Sequence, residues 1–143
     1  MKALVLALLW VLPSIFPADN VSLTVTITDI PSSKGVIRVA VFNQADGFPD
    51  ENKKAYRILS FPAQKGSLSF TLDSLTLGET IAISLLQDEN KNGKLDTNML
   101  GVPQEPYGTS NNPSPWRKPS FYEAKLTVKN NAPPVVIVMK ELM

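Results

Sequence analysis

The sequence lacks two residue types that carry much of protein chemistry. None of its 143 residues is cysteine or histidine. Without cysteine there is no disulfide and no structural zinc site of the Cys type. Without histidine there is no imidazole base, no Ser-His or Cys-His catalytic pair, and no common ligand for zinc or iron. These absences argue against most enzyme classes, and we expect a protein that is not an enzyme.

Charge is also scarce and nearly balanced. Lysine and arginine number 14 against 13 acidic residues, so the formal net charge is +1. This balance supplies no basic field of the kind that nucleic-acid binding requires, and we expect no nucleic-acid partner. Hydrophobic residues make up 43% of the chain, which is enough for one domain with a real core.

The first 18 residues have the pattern of a secretory signal peptide. Lys2 precedes a ten-residue apolar run, Ala3–Leu12, and Pro13 then ends the run. The run is short for a membrane span, which needs roughly 20 residues. We therefore predict a signal peptide at 1–18, one domain at 19–143, export to the periplasm or medium, and no membrane attachment after cleavage. A retained N-terminal anchor is the alternative.

Hydrophobic and polar residues alternate along several short segments. Val21, Leu23 and Val25, for example, alternate with serine and threonine. A period of two residues is typical of strands with one buried face. Turn-forming residues such as Pro, Gly, Asn and Asp separate the segments. The pattern predicts strands at 21–28, 36–42, 56–61, 66–73, 80–86, 121–128 and 135–139.

Short strands of this kind, with no helix of ordinary length, predict an all-β fold. We expect an antiparallel β-sandwich of about seven strands, Ig-like or prealbumin-like, with a small barrel as the alternative. The continuous apolar run at 135–139 is typical of a central strand that is buried on both faces. Residues 97–119 contain five prolines and predict one long irregular loop.

The segment 88–96 has the residue order of a calcium loop. Oxygen-bearing side chains occupy its first, third and fifth positions, glycine its sixth and a carboxylate its ninth. Gly93 allows the sharp turn, and the seventh position offers a backbone carbonyl. The predicted calcium ligands are Asp88, Asn90, Asn92, the carbonyl of Lys94, and Asp96.

This loop is not an EF-hand, because Met99 stands where an EF-hand has its bidentate glutamate and the preceding segment is a predicted strand. Another oxygen would have to come from Asn98, Glu105, Asp46 or Asp50. With two carboxylates in the set, we expect weak binding, with a dissociation constant of ~10⁻⁴–10⁻³ M, and a structural role. The alternative is an ordinary turn, since Asp, Asn and Gly are also common turn residues.

The sequence resembles a family of exported bacterial proteins known as domain of unknown function 2141. The segments that carry this resemblance are 88–112, 119–124, 35–43 and 47–49. That family usually has glycine where this chain has Lys91, a position that is not a predicted ligand. The resemblance implies a small exported β-rich domain and no particular activity.

Aromatic residues around the proline-rich loop suggest a second kind of site. Aromatic faces on a sandwich can stack on sugar rings, so Tyr107, Trp116 and Tyr122 are candidate ligand-binding residues of a carbohydrate or cell-surface recognition module. Its partner would be a glycan or protein at the cell surface. The alternative is that these rings pack beneath the loop. Paired carboxylates for glycoside hydrolysis are available in principle, but nothing in the sequence pairs them.

Overall fold

The computed structural model describes residues 19–142, so the predicted signal peptide lies outside the described residues. This part of the chain contains two facing β-sheets, which confirms the predicted all-β sandwich. None of its helices is long and apolar enough to cross a membrane. Its eight strands are β1 (Asn20–Ile30), β2 (Val36–Phe42), β3 (Arg57–Pro62), β4 (Gly66–Thr76), β5 (Thr80–Asp88), β6 (Tyr107–Thr109), β7 (Leu126–Thr127) and β8 (Val135–Val138).

The smaller sheet has the order β4-β1-β8, and the larger has the order β3-β2-β5-β6 with β7 also paired to β5. β1 is antiparallel to β4 but parallel to β8, with Val25 opposite Val135. The sequence predicted an antiparallel sandwich, and the structure has one parallel pair among its strands. The parallel pair joins the first and last strands of the described chain.

The main core lies between the sheets and follows the predicted alternation. Leu23, Val25 and Ile27 of β1 face residues such as Ile37 and Ile83 of the larger sheet, and all are buried. A second, smaller core lies on the outer face of the larger sheet. It consists of Ala40, Phe42, Phe48, Ala82, Phe121 and Ala124.

β8 is an edge strand, so the predicted central position of the apolar run at 135–139 is wrong. Ile137 is buried, but Val136 is 48% exposed. The side chain of Asn112 covers the free edge: its Nδ2 donates to Val136 O (3.0 Å), and its Oδ1 accepts from Val138 N (2.8 Å). The next residues bridge to β6, since Tyr107 and Lys140 exchange two backbone hydrogen bonds. The sandwich is thus closed at this corner, as in a barrel.

The strand predicted at 121–128 is also wrong. The chain there forms a short helix, α1 (Phe121–Ala124), and only then the two-residue strand β7. Ser120 and Glu123 make a capping box that satisfies the N–H groups of the first turn. Phe121 anchors the helix by packing edge-on against Phe48, at 6.0 Å between ring centroids. The Ser-x-x-Glu spacing was the sequence signal for this helix.

Candidate functional site

The predicted calcium loop begins where β5 ends and reverses through two left-handed residues. Lys91 and Gly93 have φ angles of 61° and 83°. The two asparagines support this shape: Asn90 Oδ1 accepts the N–H of Asn92 at 3.1 Å, and Asn92 Oδ1 accepts the N–H of Lys94 at 3.0 Å. Alternating oxygen-bearing side chains therefore define the backbone path of the loop.

Asp88 is fully buried and is bonded on both carboxylate oxygens. Its Oδ1 accepts from the N–H of Asn92 (3.0 Å), and its Oδ2 accepts from the N–H of Gly93 (2.9 Å) and from Arg38 Nε (2.5 Å). Burial opposes ionisation of this carboxyl, but the hydrogen bond from Arg38 and those from the loop outweigh it, and the pKa is lowered. Asp88 thus shapes the loop and has a cationic neighbour within the chain.

Asp96 is the point on which two other predicted ligands, Asn90 and Asn92, converge. Asn90 Nδ2 donates to its Oδ2 at 2.5 Å, and Asn92 Nδ2 lies 2.9 Å from both of its oxygens. The structure therefore brings together three of the five predicted ligands through their side chains, Asn90, Asn92 and Asp96. The carboxylate of Asp88 bonds the loop backbone instead, and the side chain of Lys94 is exposed. Within residues 19–142 there is no group of three or more acidic residues arranged to hold a metal.

The residues proposed to complete the site have other partners. Buried Glu105 reaches the loop, where its carboxylate accepts the N–H groups of Glu89 (2.9 Å) and Asp96 (3.0 Å). Asp46 and Asp50 lie in ion pairs with Lys54 and Lys118. Asn98 Oδ1 accepts the N–H groups of residues 100 and 102. Glu105 therefore serves as an acceptor for the loop backbone.

A cavity lies on the outer face of the larger sheet, beside this loop. Across β2 and β5, Arg38 is opposite Leu86, and Ala40 is opposite Ser84. Opposite residues in a sheet have Cβ atoms about 5 Å apart, so two small side chains side by side leave a hollow. The loop segments around Leu95–Pro103 and Pro115–Pro119 enclose a volume of about 660 Å³ above it.

Two of the three candidate aromatic residues line this cavity. Tyr107 donates its hydroxyl to Pro115 O at 2.6 Å, which ties the proline-rich loop to β6, and burial raises the pKa of this phenol. Trp116 also lines the cavity and is 82% exposed. Tyr122 lies instead on α1, where its ring packs edge-on against Phe121. The three aromatics therefore do not form one surface.

The sequence prediction missed the sheet residues that form the floor of the cavity. These are Arg38, Ala40, Ser84 and Leu86, which occupy the outward positions of two predicted strands. Small residues at neighbouring outward positions are a usable signal, but it becomes visible only when the pairing of β2 with β5 is known.

The model of one bacterial family, described as "Uncharacterized protein conserved in bacteria (DUF2141)", matches residues 25–135. No curated protein and no solved structure matches the chain.

Proposed function

Since the chain belongs to the DUF2141 family, which is described as uncharacterized, we propose from its geometry that it is an exported, non-catalytic binding module. The observation that carries this proposal is the cavity of about 660 Å³ on the outer face of the larger sheet. Ligand pockets in proteins typically have volumes of about 300–1,000 Å³. We propose export of the protein to the periplasm or medium because residues 1–18 have the pattern of a signal peptide. N-terminal sequencing of the processed protein tests this export.

The chemistry of the cavity supports binding without catalysis. Its described lining contains one carboxylate, Asp50, which Lys118 holds at 2.9 Å. Hydrolysis of glycosides requires two carboxyl groups on opposite sides of the bond that breaks. The residues of 19–142 that line the cavity offer no such pair.

The cavity is tested by NMR with a mixture of small organic fragments added to the ¹⁵N-labelled protein. We expect amide shifts to cluster at Ala40, Ser84 and Leu86. Ser84→Leu fills the hollow and should abolish these shifts, whereas Ser84→Ala keeps it open and should retain them. Shifts that survive Ser84→Leu, or that cluster elsewhere, would contradict the proposal.

A glycan at the cell surface is the partner that the exposed indole of Trp116 favours, since sugars stack on open aromatic faces. A glycan array with and without calcium tests this candidate. Trp116→Ala should remove binding, while Tyr122→Ala, which changes another exposed aromatic residue outside the cavity, should not. Equal loss in both variants would argue against recognition at the cavity.

A structural calcium ion in the loop 88–96 is a second candidate, favoured by the convergence of Asn90 and Asn92 on Asp96. The donor set fits calcium in kind, since amide, carboxylate and carbonyl oxygens are its usual ligands. Asn90, Asn92, Lys94 O and Asp96 would hold it, after the two amide groups turn their oxygens inward. Asp88 contributes less to this set, because Arg38 already neutralises it.

Calcium titration during thermal unfolding tests the second candidate. At a calcium concentration tenfold above the dissociation constant, binding should stabilise the fold by about 1.4 kcal/mol. Asp96→Asn should abolish the increase in Tm, and magnesium at the same concentration should not reproduce it. An unchanged Tm in millimolar calcium, with no heat in calorimetry, would rule the ion out and leave the cavity proposal intact.

A further inference from the structure

We infer that the cavity takes an amphipathic anion, a small molecule with one carboxylate or phosphate group and an apolar body. This inference rests on the proposed binding function and names the class of ligand. Charge, unused hydrogen-bond donors and exposed apolar side chains point to it separately.

Among the described residues, basic side chains outnumber acidic ones in the lining of the cavity, although the net charge of the chain is only +1. The lining has one acidic residue, Asp50, and four basic ones, Arg38, Lys94, Arg117 and Lys118. Three of the basic groups form ion pairs within the chain: Arg117 with Glu123, Lys118 with Asp50, and Arg38 with Asp88. Lys94 remains as a cation with no ion pair among the described residues, and Arg38 keeps N–H donors that its pair with Asp88 does not use.

Arg38 and Lys94 have donors that the described residues do not use. Arg38 binds Asp88 through Nε alone, and its two Nη groups make no hydrogen bond with any residue of 19–142. The side chain of Lys94 has no ion pair or hydrogen bond within the same range. A Cβ built on Gly93 would lie 4.0 Å from Arg38 Nη2, so the guanidinium is next to the backbone that carries Lys94. An anionic group here would receive charge-assisted hydrogen bonds.

Several apolar side chains of the lining are unusually exposed. Ile58, Leu100 and Trp116 are 51%, 88% and 82% exposed, and all three line the cavity. Leu86 and Pro103 continue this surface. Removing apolar surface from water is favourable, so a ligand with an apolar body would bind by covering these side chains. A charged end and an apolar body together define an amphipathic anion.

The test uses the full chain with Trp10→Phe, so that Trp116 is the sole tryptophan and its emission reports on the cavity. The probes are decanoate, decyl phosphate and the neutral decyl maltoside, each below its micelle concentration. We expect at least one of the two anions to shift the emission and to bind about tenfold or more tightly than the neutral probe, because hydrogen bonds to charged groups contribute strongly. Binding of decanoate alone indicates a carboxylate ligand, and binding of decyl phosphate alone a phosphate ligand.

Two variants separate this inference from the proposed function. Lys94→Gln removes an exposed charge and should weaken anion binding about three- to tenfold while leaving the neutral probe and the Tm unchanged. Ser84→Leu should abolish binding of every probe, and Ser84→Ala should not. Equal affinity for anionic and neutral probes, or no effect of Lys94→Gln, would overturn the anionic class and leave the cavity as a binding site. Binding that persists in Ser84→Leu, or no binding of any probe, would overturn both.

Discussion

At the scale of single residues, the molecule depends on an ion pair between two neighbouring strands that are far apart in the sequence. Arg38 and Asp88 are 50 positions apart, and their pairing fixes both the loop 88–96 and the floor of the cavity. The sequence predicted the strand at 36–42, which contains Arg38, and the loop that begins at Asp88. It could not show their contact, because that contact exists only in the register of β2 against β5.

Asp88→Asn should therefore destabilise the fold by about 2–3 kcal/mol. The amide has an NH2 group where the buried carboxylate has an accepting oxygen, and this group would face N–H donors with which it cannot form hydrogen bonds. Urea unfolding measures the loss. Asp29→Asn makes the same chemical change at an exposed residue with φ of 57°, where asparagine is well tolerated, and should be nearly neutral. Similar losses in the two variants would contradict the role given to Asp88.

Gly35→Ala should be among the most disruptive single-methyl additions, because a Cβ at residue 35 would lie 2.0 Å from Asp88 O. We expect a loss of about 3 kcal/mol or more from the clash and the left-handed backbone together. Gly66→Ala is the matched control, since it is also left-handed but has nothing within 4 Å of the added methyl, and about 1–2 kcal/mol is expected. Urea unfolding of both variants separates the clash from the backbone strain, and equal losses would exclude the clash.

At the scale of elements, the alternation of hydrophobic and polar residues located most strands, but it did not give the order of the strands in each sheet. The run at 135–139 is apolar at every position, which usually means burial on both faces, yet β8 lies at an edge. A polar side chain from a distant loop, that of Asn112, satisfies the edge in place of another strand. Periodicity within a segment holds no information about such a partner, so this position could not be predicted.

Asn112→Ala should expose the edge of β8 and cost about 1–2 kcal/mol, because two hydrogen bonds are lost at once. Asn112→Asp keeps the acceptor for Val138 N but not the donor to Val136 O, so an intermediate loss is expected. Hydrogen exchange of the Val138 amide is the local measurement: it should be fast in the alanine variant and slower in the aspartate variant. Unchanged protection in both would show that another group covers the edge.

At the scale of the whole molecule, the sequence predicted the class of fold and the position of the loop 88–96 from local patterns. The cavity could not be predicted, because it arises where Ala40 meets Ser84 across two strands and where a proline-rich loop folds back over them. Local structure can be predicted from the spacing of residues along the chain. A site that combines distant segments can be predicted only when the register of the strands in the sheets is known.

Stability against acid is a property of the whole fold, and two carboxyl groups with lowered pKa values should contribute to it. The pKa of Asp88 lies below its ordinary value, because the bonds from Arg38 and the loop outweigh the opposing effect of burial. Arg117, assisted by Ser120, lowers the pKa of Glu123 to about 2. Both groups have a lower pKa in the folded than in the unfolded chain. Their ionised forms therefore stabilise the fold above the unfolded pKa values, and this contribution is lost as the pH falls through the folded ones.

We expect the free energy of unfolding to be nearly constant above about pH 5 and to fall steadily between about pH 4.5 and pH 2. Glu123→Gln should reduce the slope in this range, because its carboxyl no longer takes up a proton on unfolding, while Glu141→Gln, an exposed residue near the C-terminus, should leave the slope unchanged. Urea unfolding at a series of pH values measures the slopes. A wild-type profile that stays flat down to pH 2, or the same slope in Glu123→Gln, would show that the ion pair of Arg117 with Glu123 does not contribute to the pH dependence of stability.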